Sequence, residues 1–479
     1  SGRPVMLMLL LLSYVPRAVL VQLAQGLLLA CALAAVTLAT LVMAVRLRQR
    51  RRVAFFHPYA ECGGGGERVL FLAIRALQEI DPTTEILIYT GCQNLTGSEI
   101  LADAQRKFNI GAYARPDRIR FVRLRLRFLV EAWMYPRLTM VGQSFGSVIL
   151  ALEALVRAPA QVFIDTTGFA FTYPLACISG CRVGCYTHYP TISTDMITLV
   201  QSGTATYNNA SIVAKTALLR QVKVWYYRAF AYFYGMVGRT ASVICVNSSW
   251  TRAHIDALWR VPRRTFTVFP PCDTTTLRKM PLLEGRQDII ISVGQFRPEK
   301  NHALQLRAFA RFLRRRGEAK SDAKGGEGPR LRLIGGCRNA GDHQRVSEIK
   351  ALAKKLGISD RVEVEVNVPF ERLKQSLRQS KIGLHTMWNE HFGICVVELM
   401  AAGVIPVAHN SAGPRQDIVV EYQGKPTGFL ATTEEEYAEC LEAALCLSDP
   451  DSQAMRERAR KKSGEFSNER FLERFKKHI

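Results

Sequence analysis

Apolar residues follow two spacings along this chain, and the spacings alternate. Short apolar runs at 53–56, 85–89, 162–165, 182–187 and 242–247 have the length of buried strands. Segments 67–80 and 248–259 place apolar residues three and four apart, the period of a helix with one buried face. The pattern pauses at Pro270-Pro271-Cys272-Asp273, which predicts a hinge, and then restarts. Strands are expected at 289–293, 330–334, 362–366, 382–385 and 405–408, with a helix at 303–314. The Gly-, Lys-, Glu- and Ser-rich stretch 316–329 predicts a mobile loop. Strands alternating with helices predict parallel sheets covered on both faces. The expected fold is α/β, with two doubly wound Rossmann-like domains, 53–270 and 271–450, facing each other across a cleft. A charged helical tail, 451–479, is expected to return across the hinge to the first domain. Ligands of such sheets bind beyond the carboxyl ends of the strands.

The first 52 residues follow neither spacing. Residues 18–45 carry no charge, which is long enough for a bilayer and longer than a cleavable signal core. Arg46, Arg48, Arg50, Arg51 and Arg52 follow at once. Positive charge at that end predicts a single-pass transmembrane helix with everything after it in the cytosol. Residues 5–15 extend this anchor or lie in the interface. Two later stretches each carry two readings. Segment 219–239 packs Trp225, Tyr226, Tyr227, Phe230, Tyr232, Phe233 and Tyr234 among Arg220, Lys223 and Arg228. It is either a helix in the lipid interface or a core helix of the first domain. Arg118, Arg120, Arg123, Arg125 and Arg127 alternate with apolar residues, as on an edge strand with one basic face. That face meets anionic headgroups or a diphosphate, or is only solvated.

Composition narrows the partners. A chain of 479 residues exceeds one ordinary core, and 48% apolar content excludes a largely disordered protein. The net charge of +23 suits nucleic acid, an anionic membrane or phosphorylated substrates. No arginine-rich recognition helix or nucleic-acid module is present, so membrane and phosphate are expected and nucleic acid is not. The 12 cysteines include no C-x-x-C pair, and cytosolic placement predicts free thiols. Cys177, Cys181 and Cys185, with His188 nearby, lack the spacing of zinc knuckles and read as small core residues beside a strand. Asp449-Pro450-Asp451, the single D-x-D, falls in a late loop, so no metal is expected. Sequons at Asn94, Asn209 and Asn247 are accidental in a cytosolic domain.

The densest chemistry lies in T-M-W-N-E-H-F-G-I-C-V-V-E-L-M-A-A, residues 386–402. Glu390 and Glu398 stand eight positions apart, one in a loop and one on the following helix. The amides of Phe392, Gly393 and Ile394 open that helix, and a helix start favours anionic oxygen. Carboxylates beside it accept hydrogen bonds from sugar hydroxyls. Four glycines, Gly63, Gly64, Gly65 and Gly66, join the first strand to the first helix and let a phosphate or sugar approach the backbone. Gly294-Gln295-Phe296-Arg297-Pro298-Glu299-Lys300 follows the first strand of the second domain. There, Arg297 and Lys300 can neutralise a departing nucleoside diphosphate. Gly335 ends the next strand and edges a base pocket, and residues 409–414 line the cleft mouth. In the first domain His188 and Asp165-Thr166-Thr167-Gly168 end strands on the acceptor side. His188 is either a donor to a sugar hydroxyl or a structural histidine.

Taken in order, F-F-H-P-Y, G-G-G-G-E-R-V-L, G-Q-S-F-G-S, G-C-Y-T-H-Y-P-T-I-S-T-D-M, G-Q-F-R-P-E-K-N-H and N-E-H-F-G-I-C-V-V-E carry a family likeness. They resemble the GDP-mannose-dependent α-1,2-mannosyltransferases of dolichol-linked oligosaccharide assembly, which are retaining glycosyltransferases of the GT-B fold. The likeness runs from about residue 53 to about residue 430. It implies a metal-independent enzyme on the cytosolic face of the endoplasmic reticulum membrane. Such an enzyme uses GDP-mannose to add the fourth and fifth mannoses to a dolichyl-diphosphate oligosaccharide. Its neighbours would be membrane lipid and other transferases of the same assembly. By the same likeness Glu390 holds donor-sugar hydroxyls, Glu398 the ribose, and Arg297 and Lys300 the diphosphate. Many relatives carry arginine where this chain has Gln295, which leaves Arg297 to take that contact. The rival readings are another GT-B transferase, using a UDP-sugar or acting at an earlier mannosylation, and a non-catalytic membrane scaffold.

Overall fold

The computed structural model describes residues 17–201, 217–317 and 328–479. The expectations for residues 5–15, for Asn209 and for most of the 316–329 loop lie outside the described residues. Seven parallel strands form the first sheet: β1 (Arg52–Phe56), β2 (Glu85–Thr90), β3 (Ile119–Arg123), β4 (Val162–Asp165), β5 (Arg182–Thr187), β6 (Val243–Val246) and β7 (Thr265–Thr267). Their spatial order is β3-β2-β1-β4-β5-β6-β7. The second sheet holds β8 (Gln287–Val293), β9 (Arg330–Gly335), β10 (Val362–Val366), β11 (Ser380–His385), β12 (Ile405–His409) and β13 (Phe429–Ala431). Its order, β10-β9-β8-β11-β12-β13, is again parallel throughout.

The continuous apolar runs are explained by burial on both faces. In β1, Ala54 and Phe56 enter one core while Phe55, between them, enters the other. The first core lies under helices Thr139–Arg157 and Ala217–Gly238. The second lies under helix Gly65–Ile80 and also contains Phe471, Leu472 and Phe475. These last residues belong to helix Asn468–His478, so the chain ends on the first sheet's side. Asn468 accepts from the Arg68 guanidinium at 3.2 Å, and Lys476 donates to Glu79 at 3.0 Å.

Strands β7 and β13 were not expected because each has only three residues, too few for the period of a strand to show. Of the alternating arginines, Arg120 and Arg123 lie on the edge strand β3, Arg118 precedes it and Arg125 and Arg127 follow it, and they do not form one free face. Arg123 donates to the Gln93 and Leu95 carbonyls, and Arg127 donates to Glu61 at 2.7 Å and covers the Tyr59 ring. The aromatic helix Ala217–Gly238 packs one face into the core of the first domain and leaves the other exposed. Tyr227, Phe230 and Tyr234 are buried in the core, whereas Val222, Trp225 and Phe233 are more than half exposed.

Helix Arg17–Leu47 precedes the first sheet, and its segment Gln25–Leu47 is long and apolar enough to cross a membrane. Leu27, Leu28, Leu29, Leu33 and Val36 are exposed along it. Its end is fastened to the first domain. Val45 is buried there, Arg46 donates to the Ile178 carbonyl at 2.6 Å, and Gln49 donates to the Ser179 carbonyl at 3.0 Å.

Candidate active site

The two sheets point their carboxyl ends at one cleft of about 1210 Å³. Strand β1 lies between β2 and β4, and β8 lies between β9 and β11, so connections leave in opposite directions at each. These crevices are where doubly wound sheets receive ligands. The loop after β1 brings Gly63 to Gly66, the loop after β8 brings Gln295, Arg297 and Lys300, and the loop after β11 brings Glu390 to Glu398. Residues nearly 340 positions apart in the chain thus face one space.

Glu390 sits at its centre. Lys300 Nζ donates to Glu390 Oε2 at 2.5 Å, and His385 Nε2 lies 3.1 Å from the same oxygen. Burial opposes charge on this carboxyl, but Lys300 and His385 outweigh it and hold the pKa well below the ordinary range. His385 moves the other way. Burial lowers its pKa, yet the Cys395 sulfur and Glu390 raise it to about 9. The backbone that carries Lys300 is itself held: Thr386 Oγ1 donates to the Lys300 carbonyl at 2.9 Å and accepts from Gln305 at 3.0 Å. At Gly393 the backbone turns at φ +111°, a conformation that favours glycine, and helix Ile394–Ala401 begins. The Phe392 ring does not face the cleft. It packs between Phe269 and Phe466 in the core behind it, leaving its backbone at the lining.

Glu398 lies eight positions on, half-buried. Burial raises its pKa to about 6, against the pull of Arg68. The glycine loop closes over this helix from the opposite sheet, and a Cβ at Gly65 would come 3.0 Å from Ile394 Cδ1. Only glycine permits that approach without displacing Ile394. Gly64 is differently used. Its N–H donates to Glu67 Oε2 at 2.6 Å, so this amide is not open to a ligand.

Arg297 also lines the cleft; its Nε has no partner among the described residues, and Glu299 lies 3.6 Å from its guanidinium. Gln295 is exposed at the rim. His188 enters from the end of β5. Its ring hydrogen-bonds the Thr166 backbone, and burial with the neighbouring His57 pushes its pKa down to about 4. It is therefore neutral near pH 7, and its Nε2, next to Gly66, is unpartnered among the described residues.

Other expected residues stand elsewhere. Gly335 is not among the cleft's lining; a Cβ there would strike the Gly294 carbonyl at 2.1 Å, so the glycine serves the packing of two strand ends. Asp165 is buried and spent on its own loop, accepting from Thr167, Gly168 and the Tyr173 hydroxyl. It has no free face for an acceptor. Residues 409–414 support the Glu390 loop from behind rather than lining the mouth: Ser411 Oγ accepts from the Asn389 amide at 2.8 Å, and the Gly413 amide donates to the Glu390 carbonyl at 3.0 Å. The Cys181 and Cys177 thiols donate to different carbonyls, those of Ala160 and Thr240.

Two participants were not read from the sequence. Arg68, one turn into the helix after the glycines, lines the cleft with its Nε unpartnered among the described residues. Its place beside a glycine run at a helix start was the available signal. His385 ends a strand as a single histidine in an apolar run, and nothing local distinguishes it from a core residue.

Known proteins share this architecture. The family model for the ALG11 mannosyltransferase N-terminus matches residues 50–259, and that for glycosyl transferases group 1 matches residues 273–462. A Mus musculus protein named GDP-Man:Man(3)GlcNAc(2)-PP-Dol alpha-1,2-mannosyltransferase is 48% identical over 88% of this chain and 85% of its own. A Dictyostelium discoideum protein of the same name is 41% identical over 89% of this chain and 84% of its own. Among solved structures, Anabaena Alr3699/HepE in complex with UDP and glucose aligns at a TM-score of 0.57 with 13% identity, covering 88% of this chain and 98% of that one. Sucrose-phosphate synthase from Thermosynechococcus elongatus aligns at 0.59 with 16% identity, covering 88% and 96%. The structural likenesses establish a GT-B fold, and the sequence identity spans both sheets and the cleft between them. The chain is a glycosyltransferase and belongs to the family of GDP-Man:Man(3)GlcNAc(2)-PP-Dol alpha-1,2-mannosyltransferases.

Proposed function

We propose that this chain moves mannose from GDP-mannose to a dolichyl-diphosphate oligosaccharide bearing three mannoses, adding the fourth and fifth in α-1,2 linkage with retention. The observation that carries this reading is the Glu390–Lys300 pair at the floor of a cleft that also receives Arg297, Arg68 and the glycine loop. An acidic group for sugar hydroxyls thus lies beside three cations suited to a diphosphate. As the mannosyl–phosphate bond breaks, its electrons leave on the diphosphate oxygen, and Lys300 and Arg297 stabilise that charge. The acceptor hydroxyl adds on the same face, and its proton passes to the departing oxygen. These cations supply the neutralisation for which other transferases recruit a metal. Incubation with GDP-mannose and a trimannosyl lipid-linked acceptor should yield a product two hexoses larger, with both added residues released by an α-1,2-specific mannosidase. Transfer from UDP-glucose instead, or nucleotide binding without turnover, would overturn the reading.

Glu398 sets a pH dependence. Its raised pKa means that it takes up a proton as pH falls through about 6, sooner than an ordinary carboxyl. The neutral form loses its anionic acceptor for ribose hydroxyls. KM for GDP-mannose is expected to rise below about pH 6, and Glu398→Gln to show a high KM that no longer changes over that range.

The same proposal places the enzyme on the cytosolic face of the endoplasmic reticulum, held by one membrane-crossing helix and facing lipid along its first domain. Beside the anchor, helix Thr139–Arg157 presents Val141 and Phe145 to solvent, and the Tyr226 hydroxyl of the aromatic helix reaches the Val141 backbone. Phe145 and Trp225 are 67% and 64% exposed, which is costly in water and favourable at a headgroup boundary. Phe145→Glu combined with Trp225→Glu is expected to weaken flotation of anchor-deleted protein with anionic vesicles several-fold, at unchanged melting temperature.

A further inference from the structure

We infer that the acceptor-side domain sets the position of Glu390 through the two residues that flank it, with Asp195 as the positioning residue. This rests on reading Glu390 as the donor-sugar grip. Asn389 stands in a left-handed conformation, φ +51°, and its Nδ2 donates to Asp195 Oδ2 at 2.8 Å across 194 positions of sequence. Asp195 opens helix Thr194–Gln201 of the first domain. Its carboxylate is held there. His254 Nε2 lies 3.6 Å away, with His254 Nδ1 fixed 2.8 Å from Thr194 Oγ1, and the Trp250 indole also hydrogen-bonds Asp195. On the other side of Glu390, the His391 ring stacks on Tyr189 at 4.0 Å and on Trp250 at 5.3 Å, nearly parallel to both.

Three consecutive residues are thus divided between domains. Asn389 and His391 are held by the first, while the Glu390 side chain is held by Lys300 and His385 of the second. A further bridge, from Ser249 N and Oγ to the Asp417 carboxylate at 2.9 and 2.5 Å, fixes the same pair of domains. The loop turns through positive φ at Asn389 and again at Gly393, so its course depends on what grips it in between. Asp195 and Asn389 are not among the residues that line the cleft. Separating the domains breaks both grips at once. Only the closed arrangement therefore presents Glu390 in its working position, although the nucleotide contacts of the second domain persist when the cleft opens.

The test uses the full-length protein in detergent, with Asp195→Ala, Asn389→Ala, the double variant and Glu390→Gln. Each single variant is expected to lower kcat by about 10²-fold, the cost of displacing a reacting group by roughly an ångström. GDP affinity by calorimetry should stay within about twofold, and the double variant should be no worse than either single one, because both remove one contact. Single variants within threefold of wild type, losses that multiply in the double variant, or GDP affinity falling in step with kcat would each overturn the inference. If Asp195→Ala does not fold, Asn389→Ala carries the same comparison from a half-exposed loop. An active Glu390→Gln would remove the underlying reading, whereas an inactive Glu390→Gln beside normal Asp195 and Asn389 variants would remove only this coupling.

Discussion

Lys300→Ala is expected to lower kcat for mannosyl transfer by about 10²–10³-fold, equivalent to about 2.7–4 kcal/mol of lost transition-state stabilisation. In the proposed donor site the ammonium would meet the junction of sugar and diphosphate; it lies 2.5 Å from Glu390, on a backbone clamped by Thr386 and Gln305. It is therefore placed before the reaction begins and needs no reorganisation as negative charge develops on the leaving group. Arg297 and Arg68 line the same cleft, so some neutralisation survives and the loss is not total. The fold should persist, because His385 still faces the Glu390 carboxylate at 3.1 Å. Lys300→Arg is expected to rescue poorly, since a planar fork cannot replace a compact charge inside this contact. Initial rates at saturating GDP-mannose, measured beside a melting curve, decide it. A kcat within tenfold of wild type would show that the diphosphate is stabilised elsewhere.

Glu390→Gln is expected to cost a comparable factor, about 10²-fold in kcat, by a different route. The substitution keeps the shape and removes the charge. It leaves Lys300 without its 2.5 Å partner and withdraws an anionic acceptor from the sugar side of the cleft. Because Glu398, Arg68 and the glycine loop are untouched, GDP affinity should change little while GDP-mannose loses its advantage over GDP. Calorimetric titrations with the two ligands separate a sugar grip from a nucleotide grip. Equal loss for both would assign Glu390 to the nucleotide. The low pKa of Glu390 also means that wild-type activity should show no acid limb from this group above about pH 4.

Local pattern was enough to place most strands, the glycine loop and the pair Glu390 and Glu398. These features need only neighbouring residues: an apolar run bounded by turn formers, or two carboxylates on one loop and the helix it opens. The long apolar helix before the first sheet was equally legible, since an uncharged run is a property of consecutive positions. Short β7 and β13 were not, because three residues carry too little apolar signal against the hydrogen bonds that their neighbours supply. Asp165, Gly335 and residues 409–414 end strands just as the true lining residues do, and only packing distinguishes a strand end that faces the cleft from one sealed by its own loop. Arg68 acquires its meaning from a helix start aimed at the opposite sheet. The grip of Asp195 on Asn389 joins residues 194 positions apart, and that contact exists only where the two sheets face each other. Sequence determined which elements form and which residues stand at their ends. Tertiary structure decided which of those ends meet, because the encounter depends on the relative placement of two domains and not on the order of residues within either.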